Sequence, residues 1–147
     1  MEKIWTVLLV LLLALGITAC KKGGDVSHPE PAVDLTDFTT VGYDFEPGDF
    51  KYQFELTKEE KAEFDAMMQP ETWEAAAQAE LPEYGLNCVL SAKSSTAFLY
   101  VTPWDEEDTA IIKIVPIDAI GDGSDSVFYF APPEVGDAAS KFMSAFH

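Results

Sequence analysis

An alternation of apolar and polar positions marks the beginning of a folded domain near residue 38. Residues 50–56 place large apolar side chains at every second position, which is the pattern of a strand with one buried face. These apolar positions are Phe50, Tyr52, Phe54 and Leu56. The preceding segment, residues 38–45, is predicted to pair with this strand through a turn at the Glu-Pro-Gly-Asp sequence of residues 46–49. The pattern therefore predicts a β-hairpin at the start of the domain.

Two helices are predicted after this hairpin. Thr57 and Glu60 have the spacing of a capping box, in which each side chain accepts a hydrogen bond from the backbone of the other residue. A helix is therefore expected to begin there and to end before Pro70. Residues 71–81 are rich in Ala and have Trp73 as their one large apolar side chain, which predicts a second helix.

The rest of the chain is predicted to form strands followed by one helix. Segments rich in β-branched and aromatic residues predict strands over residues 86–92, 96–102, 109–117 and 127–131. Apolar positions then recur at helical spacing towards the C-terminus. Together these patterns predict an α+β fold, a single domain in which an antiparallel sheet of about five strands has helices packed on one face.

The N-terminus has a different pattern, because residues 4–17 are an almost unbroken apolar run. This run is shorter than the ~20 residues that a membrane-spanning helix needs. A charged start, a short apolar segment and small residues before a cleavage point are typical of a secretory signal. The sequence Ile17-Thr18-Ala19-Cys20 also resembles the lipobox of bacterial lipoproteins. The alternative is an ordinary signal anchor that contains a Cys by chance.

The resemblance to bacterial lipoproteins implies how the chain is processed and where it resides. The signal peptide, residues 1–19, would be removed, and the sulfur of Cys20 would carry diacylglycerol and hold the protein on a lipid bilayer. By the same resemblance, Cys20 would be the lipidated N-terminus of the segment 20–37, whose Gly, Pro and acidic side chains predict a flexible tether. Residues 38–147 would form the acidic α+β domain. Lys21, which is not Asp, favours the outer membrane facing the periplasm in a Gram-negative cell.

Charge narrows the choice of partners. The chain contains 26 Asp and Glu, nine Lys and no Arg, so its formal net charge is −17. A nucleic-acid backbone would repel such a chain, so no nucleic-acid partner is expected. The densest acidic run is predicted to be a loop between two strands, with an aromatic residue that could anchor a basic protein partner. Its residues are Trp104, Asp105, Glu106, Glu107 and Asp108. The alternative is a solvated hairpin loop whose charges discourage edge pairing.

Residues able to perform catalysis are few. His28 lies in the predicted tether and His147 is the last residue, so neither offers the fixed geometry that a catalytic base needs. Cys88 lies among apolar residues, and it is expected to be a buried thiol rather than a nucleophile. The sequence shows no phosphate-binding loop and no zinc-hydrolase motif, so we expect no catalytic residue, no cofactor and no metal.

Residues 121–126, Gly-Asp-Gly-Ser-Asp-Ser, have the oxygen-rich composition of a Ca²⁺ loop. They depart from the EF-hand pattern, because Ser occupies the later ligand positions and no Glu stands at the twelfth. The same residues also suit a long hairpin turn, which is the interpretation we favour.

These observations predict a non-catalytic lipoprotein of the cell envelope whose acidic domain binds a protein. One version is an immunity or inhibitor protein directed against a basic toxin or wall-degrading enzyme, because acidic surfaces accelerate encounters with basic partners. Two alternatives remain open. One is an envelope hydrolase that uses paired carboxylates, and the other is a structural accessory subunit of an envelope complex.

Overall fold

The computed structural model describes residues 33–44, 50–83, 86–119 and 125–146 of the 147-residue chain. The described residues all belong to one compact unit, residues 33–147. This unit begins at Val33, which packs against the core, and Leu35 is buried within it. Residues 33–37, which composition places in the tether, are therefore part of the folded body.

The described part of the chain contains seven strands in a single antiparallel sheet. The predicted α+β class and single domain are confirmed, whereas the expectation of about five strands is wrong. The order across the sheet is β2-β1-β4-β5-β6-β7-β3. The strands are β1 (Thr40–Asp44), β2 (Phe50–Glu55), β3 (Glu74–Ala76), β4 (Leu90–Lys93), β5 (Ala97–Trp104), β6 (Thr109–Pro116) and β7 (Val127–Ala131).

Two α-helices lie in the described residues, α1 (Lys58–Met68) and α2 (Pro133–Met143). The predicted capping box begins α1: the Glu60 backbone N–H donates to Thr57 Oγ1 at 3.3 Å, and the Thr57 N–H donates to Glu60 Oε2 at 2.7 Å. Helix α2 contacts β5 and β6, and α1 contacts α2. The rings of Phe64 and Phe142 join the two helices, with centroids 6.3 Å apart.

The helix predicted over residues 71–81 is wrong. This segment forms two short 3₁₀ turns, Pro70–Thr72 and Gln78–Glu80, which flank β3 at the sheet edge beside β7. Trp73 explains the difference: its indole N–H donates to the Met68 carbonyl at 2.7 Å, and its ring lies 5.7 Å from that of Tyr129. The helix propensity of Ala amounts to only a fraction of a kcal/mol per residue, so ring packing and new backbone hydrogen bonds outweigh it.

Side chains alternate between the two faces of the sheet, which hold separate apolar clusters. Leu99 and Val101 belong to the main core, together with residues of α1 and α2. Phe98 and Tyr100, the intervening positions of β5, form the second cluster with Val115 of β6. We call the side of the sheet that carries Phe98 and Tyr100 the second face. This face also carries the cross-strand neighbours of those two residues.

Candidate functional site

The acidic run predicted to bind a partner forms the connection between β5 and β6. Asp105–Glu107 form a 3₁₀ turn, and Asp108 closes it in the left-handed conformation with φ of 51°. The four acidic side chains, Asp105, Glu106, Glu107 and Asp108, are all exposed. The structure therefore places them together at the tip of a regular hairpin, where four carboxylates point away from the core.

Trp104 contacts the sheet beside this tip. Its ring centroid lies 6.3 Å from that of Phe130 on β7, and the residue is half-buried. Thr109, its cross-strand partner, donates a hydrogen bond from Oγ1 to the Ala131 carbonyl at 2.8 Å. The base of the acidic hairpin is thus fixed to β7 by one aromatic contact and one hydrogen bond, which holds the four acids at a defined place on the surface.

Cys88 does not lie in the core, so the expectation of a buried thiol is wrong. The residue is exposed and precedes β4. The Sγ atom donates to the Leu90 carbonyl at 3.1 Å and lies 3.7 Å from Ser91 Oγ. Residues 86–89 form no regular secondary structure, and the strand begins only at Leu90, although the Val89 N–H donates to the Val101 carbonyl at 2.9 Å. The strand predicted over residues 86–92 therefore starts later in the chain, and Cys88 lies outside it.

Several predicted positions fall outside the described residues: Cys20, His28, His147 and residues 121–124 of the glycine-rich segment. In that segment Asp125 is exposed, and Ser126 Oγ is buried with no hydrogen-bond partner among the residues that the structure describes. Among the residues that the structure describes, no three His, Cys, Asp or Glu side chains converge closely enough to hold a metal ion.

One carboxyl group is perturbed by its local turn. The carboxylate of Asp34 accepts a hydrogen bond from the Thr36 side chain and another from the Thr36 backbone N–H, which lies 2.9 Å from Oδ1. Both contacts lower the pKa of the Asp34 carboxyl from its usual value of 3.8. Asp34 lies on the surface, so the shift reflects donors that favour the ionised form. It stabilises the turn that leads into β1.

A polar groove of about 390 Å³, not predicted from the sequence, opens on the second face near β1, β2 and the β4–β5 turn. Its size falls within the ~300–1,000 Å³ typical of ligand-binding clefts. The lining combines two carboxylates, an ammonium group, an amide and four hydroxyls. These residues are Asp37, Thr39, Thr40, Gln53, Glu55, Lys93, Ser94 and Ser95.

The floor of this groove is a row of side chains across adjacent strands. Thr40 of β1 is directly opposite Glu55 of β2 on one side and Lys93 of β4 on the other. Thr40 is buried, and its Oγ1 donates to Glu55 Oε1 at 3.0 Å. The groove therefore has a carboxylate on one wall and an ammonium group on the other, with a hydroxyl between them.

The Lys93 side chain, which supplies the ammonium group of the groove, is held in place by packing. Lys93 Nζ lies 5.8 Å from the centroid of the Phe98 ring, within the range of a cation–π contact. Ser94 is buried, and its Oγ accepts from the backbone N–H groups of Thr96 and Ala97, at 3.2 and 3.0 Å. This hydrogen-bonded turn fixes the backbone next to Lys93.

Comparison with known proteins gives no relative from which function could be transferred: no family model, curated protein or solved structure matches the chain. Neither described helix is long and apolar enough to span a membrane. The features of the chain that bear on its function are the N-terminal sequence pattern, the acidic hairpin and the groove.

Proposed function

We propose that this chain is a non-catalytic lipoprotein of the bacterial cell envelope, anchored by acyl chains on Cys20, and that its acidic domain binds a protein partner with a basic surface. The short apolar run and the Ile-Thr-Ala-Cys sequence of residues 17–20 support the anchor. In a Gram-negative cell the protein would lie on the outer membrane, facing the periplasm. Its partner would be an envelope protein within reach of the tether.

The observation that carries the partner-binding proposal is the acidic hairpin tip. Asp105, Glu106, Glu107 and Asp108 are exposed together, and Trp104 beside them is half-buried against Phe130. Such a tip presents a concentrated negative charge on a fixed support. It favours a partner with a basic cleft, because charge complementarity accelerates association and sets specificity.

An immunity or inhibitor role fits this arrangement, with a basic toxin or wall-degrading enzyme as the target. The hairpin would enter the basic cleft of the enzyme, and Trp104 would support the contact from the side. A paired-carboxylate hydrolase would instead use Asp37 and Glu55, which share the groove. An accessory subunit would use an apolar surface.

We further propose that both helices cover one face of the sheet, leaving the hairpin and the groove accessible. Helix α2 contacts β5 and β6, and α1 contacts α2. Phe64 and Met68 of α1 lie in the same core cluster as Leu99 and Ile112 of the sheet. This shared cluster supports a layer of helices on the face opposite the second face.

Partner binding is tested by a photo-cross-linking amino acid placed at Glu106 of the full-length protein in the producing cells. We expect one abundant adduct with a basic envelope protein, identified by mass spectrometry. The purified pair should then lose affinity about tenfold between low and physiological salt, since exposed charges are screened over ~8 Å at 0.15 M. An adduct with an acidic protein, or a complex insensitive to salt, would contradict the proposal.

A matched pair of charge-neutralised variants provides the control. The first changes the hairpin acids to Asn or Gln, with Asn at position 108 because it tolerates the left-handed conformation. The second changes four exposed acids elsewhere, Glu59, Glu63, Glu71 and Glu83, to Gln. Only the first should weaken the complex strongly, although both remove the same charge. Equal losses would show that net charge alone matters.

The anchor has its own test. Cells supplied with a labelled fatty acid should incorporate the label into the wild-type protein, and Cys20→Ser should abolish incorporation. Cys88→Ser is the matched control, because it removes the other thiol and should leave labelling unchanged. Labelling that persists in Cys20→Ser would refute the lipidation site.

A further inference from the structure

The polar groove contains opposite charges that do not neutralise each other. Glu55 and Lys93 flank Thr40 on β2 and β4. Among the described residues, no carboxylate lies within ion-pair distance of Lys93 Nζ, whose contact is with the Phe98 ring. The described ion pair is that of Lys61 with Asp65 on α1. Both walls of the groove therefore retain charge that a ligand can satisfy.

From this arrangement we propose that the groove binds a short zwitterionic peptide, with its α-ammonium at Glu55 and Asp37 and its α-carboxylate at Lys93. A purely anionic ligand would meet the two groove carboxylates and the net charge of −17. A purely cationic ligand would leave Lys93 without a counter-charge in a partly desolvated place. A ligand that carries both charges satisfies both walls with charge-assisted hydrogen bonds.

The spacing of the strands sets the length of the ligand. Neighbouring strands lie about 4.8 Å apart, so the backbones of β2 and β4, separated by β1, are about 10 Å apart. An extended peptide advances about 3.3 Å per residue, so about three residues cover this separation. The hydroxyls of Thr39 and Ser95 and the amide of Gln53 line the same groove, and hydroxyls and amides bind peptide N–H and C=O groups.

The walls are already ordered, which favours binding. Thr40 holds the Glu55 carboxylate at 3.0 Å, and Lys93 packs over Phe98 beside the turn built on Ser94. Less side-chain freedom is then lost when the ligand enters. This inference goes beyond the proposed partner binding, because the groove shares no residue with the acidic hairpin.

The test uses three probes with the full-length protein in detergent micelles: tri-alanine, N-acetyl-tri-alanine and tri-alanine amide. Isothermal titration calorimetry should show saturable binding of tri-alanine in the millimolar range or tighter, and each blocked peptide should bind about tenfold more weakly. Equal affinity for all three probes would overturn the proposal, as would the absence of saturable tri-alanine binding.

Two variants test which end of the peptide binds at which wall of the groove. Lys93→Gln should abolish the preference for tri-alanine over its amide while retaining the preference over the N-acetyl form, and Glu55→Gln should do the reverse. Lys113→Gln is the matched control, because Lys113 lies over the Phe128 ring at 5.8 Å, as Lys93 lies over Phe98, but outside the groove. An equal effect of Lys113→Gln would refute the assignment. Each variant is compared with itself across the probes, so partial unfolding does not imitate the result.

Discussion

The substitution Gly136→Ala tests how closely α2 approaches the sheet. The residue is buried, and a Cβ atom added there would lie 3.2 Å from Pro103 Cγ, 3.3 Å from Pro103 Cβ and 3.4 Å from Ala110 Cβ. Pro103 and Ala110 are directly paired neighbours on β5 and β6. A proline ring and a methyl group attached to strand backbone cannot rotate away, so Gly136→Ala requires the helix or the sheet to move.

Two effects of opposite sign determine the outcome of Gly136→Ala. Replacing Gly by Ala within a helix stabilises by about 1 kcal/mol. Overpacking a close contact costs about 1–3 kcal/mol. We expect the second effect to prevail, so the free energy of unfolding should fall by about 1 kcal/mol. Urea denaturation followed by Trp fluorescence measures this change, since Trp73 and Trp104 are both half-buried.

Two comparisons isolate the steric cause. Ser140→Ala, at an exposed position of the same helix, should be neutral or slightly stabilising, because only propensity changes there. In a double-mutant cycle, Pro103→Ala should recover part of the cost of Gly136→Ala, because it removes the nearest atom. A Gly136→Ala protein that gains the full ~1 kcal/mol would refute the close approach.

Three further predictions address a cap, a thiol and a turn. Thr57→Ala removes the capping box and should lower the free energy of unfolding by about 1 kcal/mol in urea denaturation, whereas Ser95→Ala should change it little. Cys88 should react with a maleimide in the native protein without denaturant, because it is exposed, and mass spectrometry should find no such adduct in Cys88→Ser. Because hydrogen bonds from Thr36 lower the pKa of Asp34, their stabilisation is present above pH 3.8 and is lost as the pH falls through the lowered folded-state pKa. The stability difference between wild type and Thr36→Val should therefore shrink on acidification, and a pH-independent difference would contradict this linkage.

Local signals in the sequence predicted most elements of the fold. The capping box located the first turn of α1, and the alternation before it located β2. The strand predicted over residues 127–131 is β7. These signals work because they depend on neighbours within a few residues. The turn predicted at residues 46–49 lies outside the described part of the chain.

The errors come from contacts between residues distant in the sequence. Residues 74–76 favour helix locally, yet they pair with β7, more than fifty residues later, and Trp73 packs on Tyr129. Similarly, Asp37, Glu55 and Lys93 show no common motif, and β1 brings Glu55 and Lys93 together by pairing on both sides. The groove could not be predicted because its existence depends on strand order and register.

The two outer strands determine whether the sheet can grow. At one edge, β2 contains a bulge opposite Val41–Tyr43, and Tyr52 there has a positive φ of 53° and is 72% exposed. At the other edge, β3 is only three residues long. A bent edge and a short edge are both poor templates for strand addition by another copy. Copies of the protein held close together would therefore resist pairing edge to edge into β-fibrils. A change that removed the bulge of β2 at Tyr52 would weaken that protection.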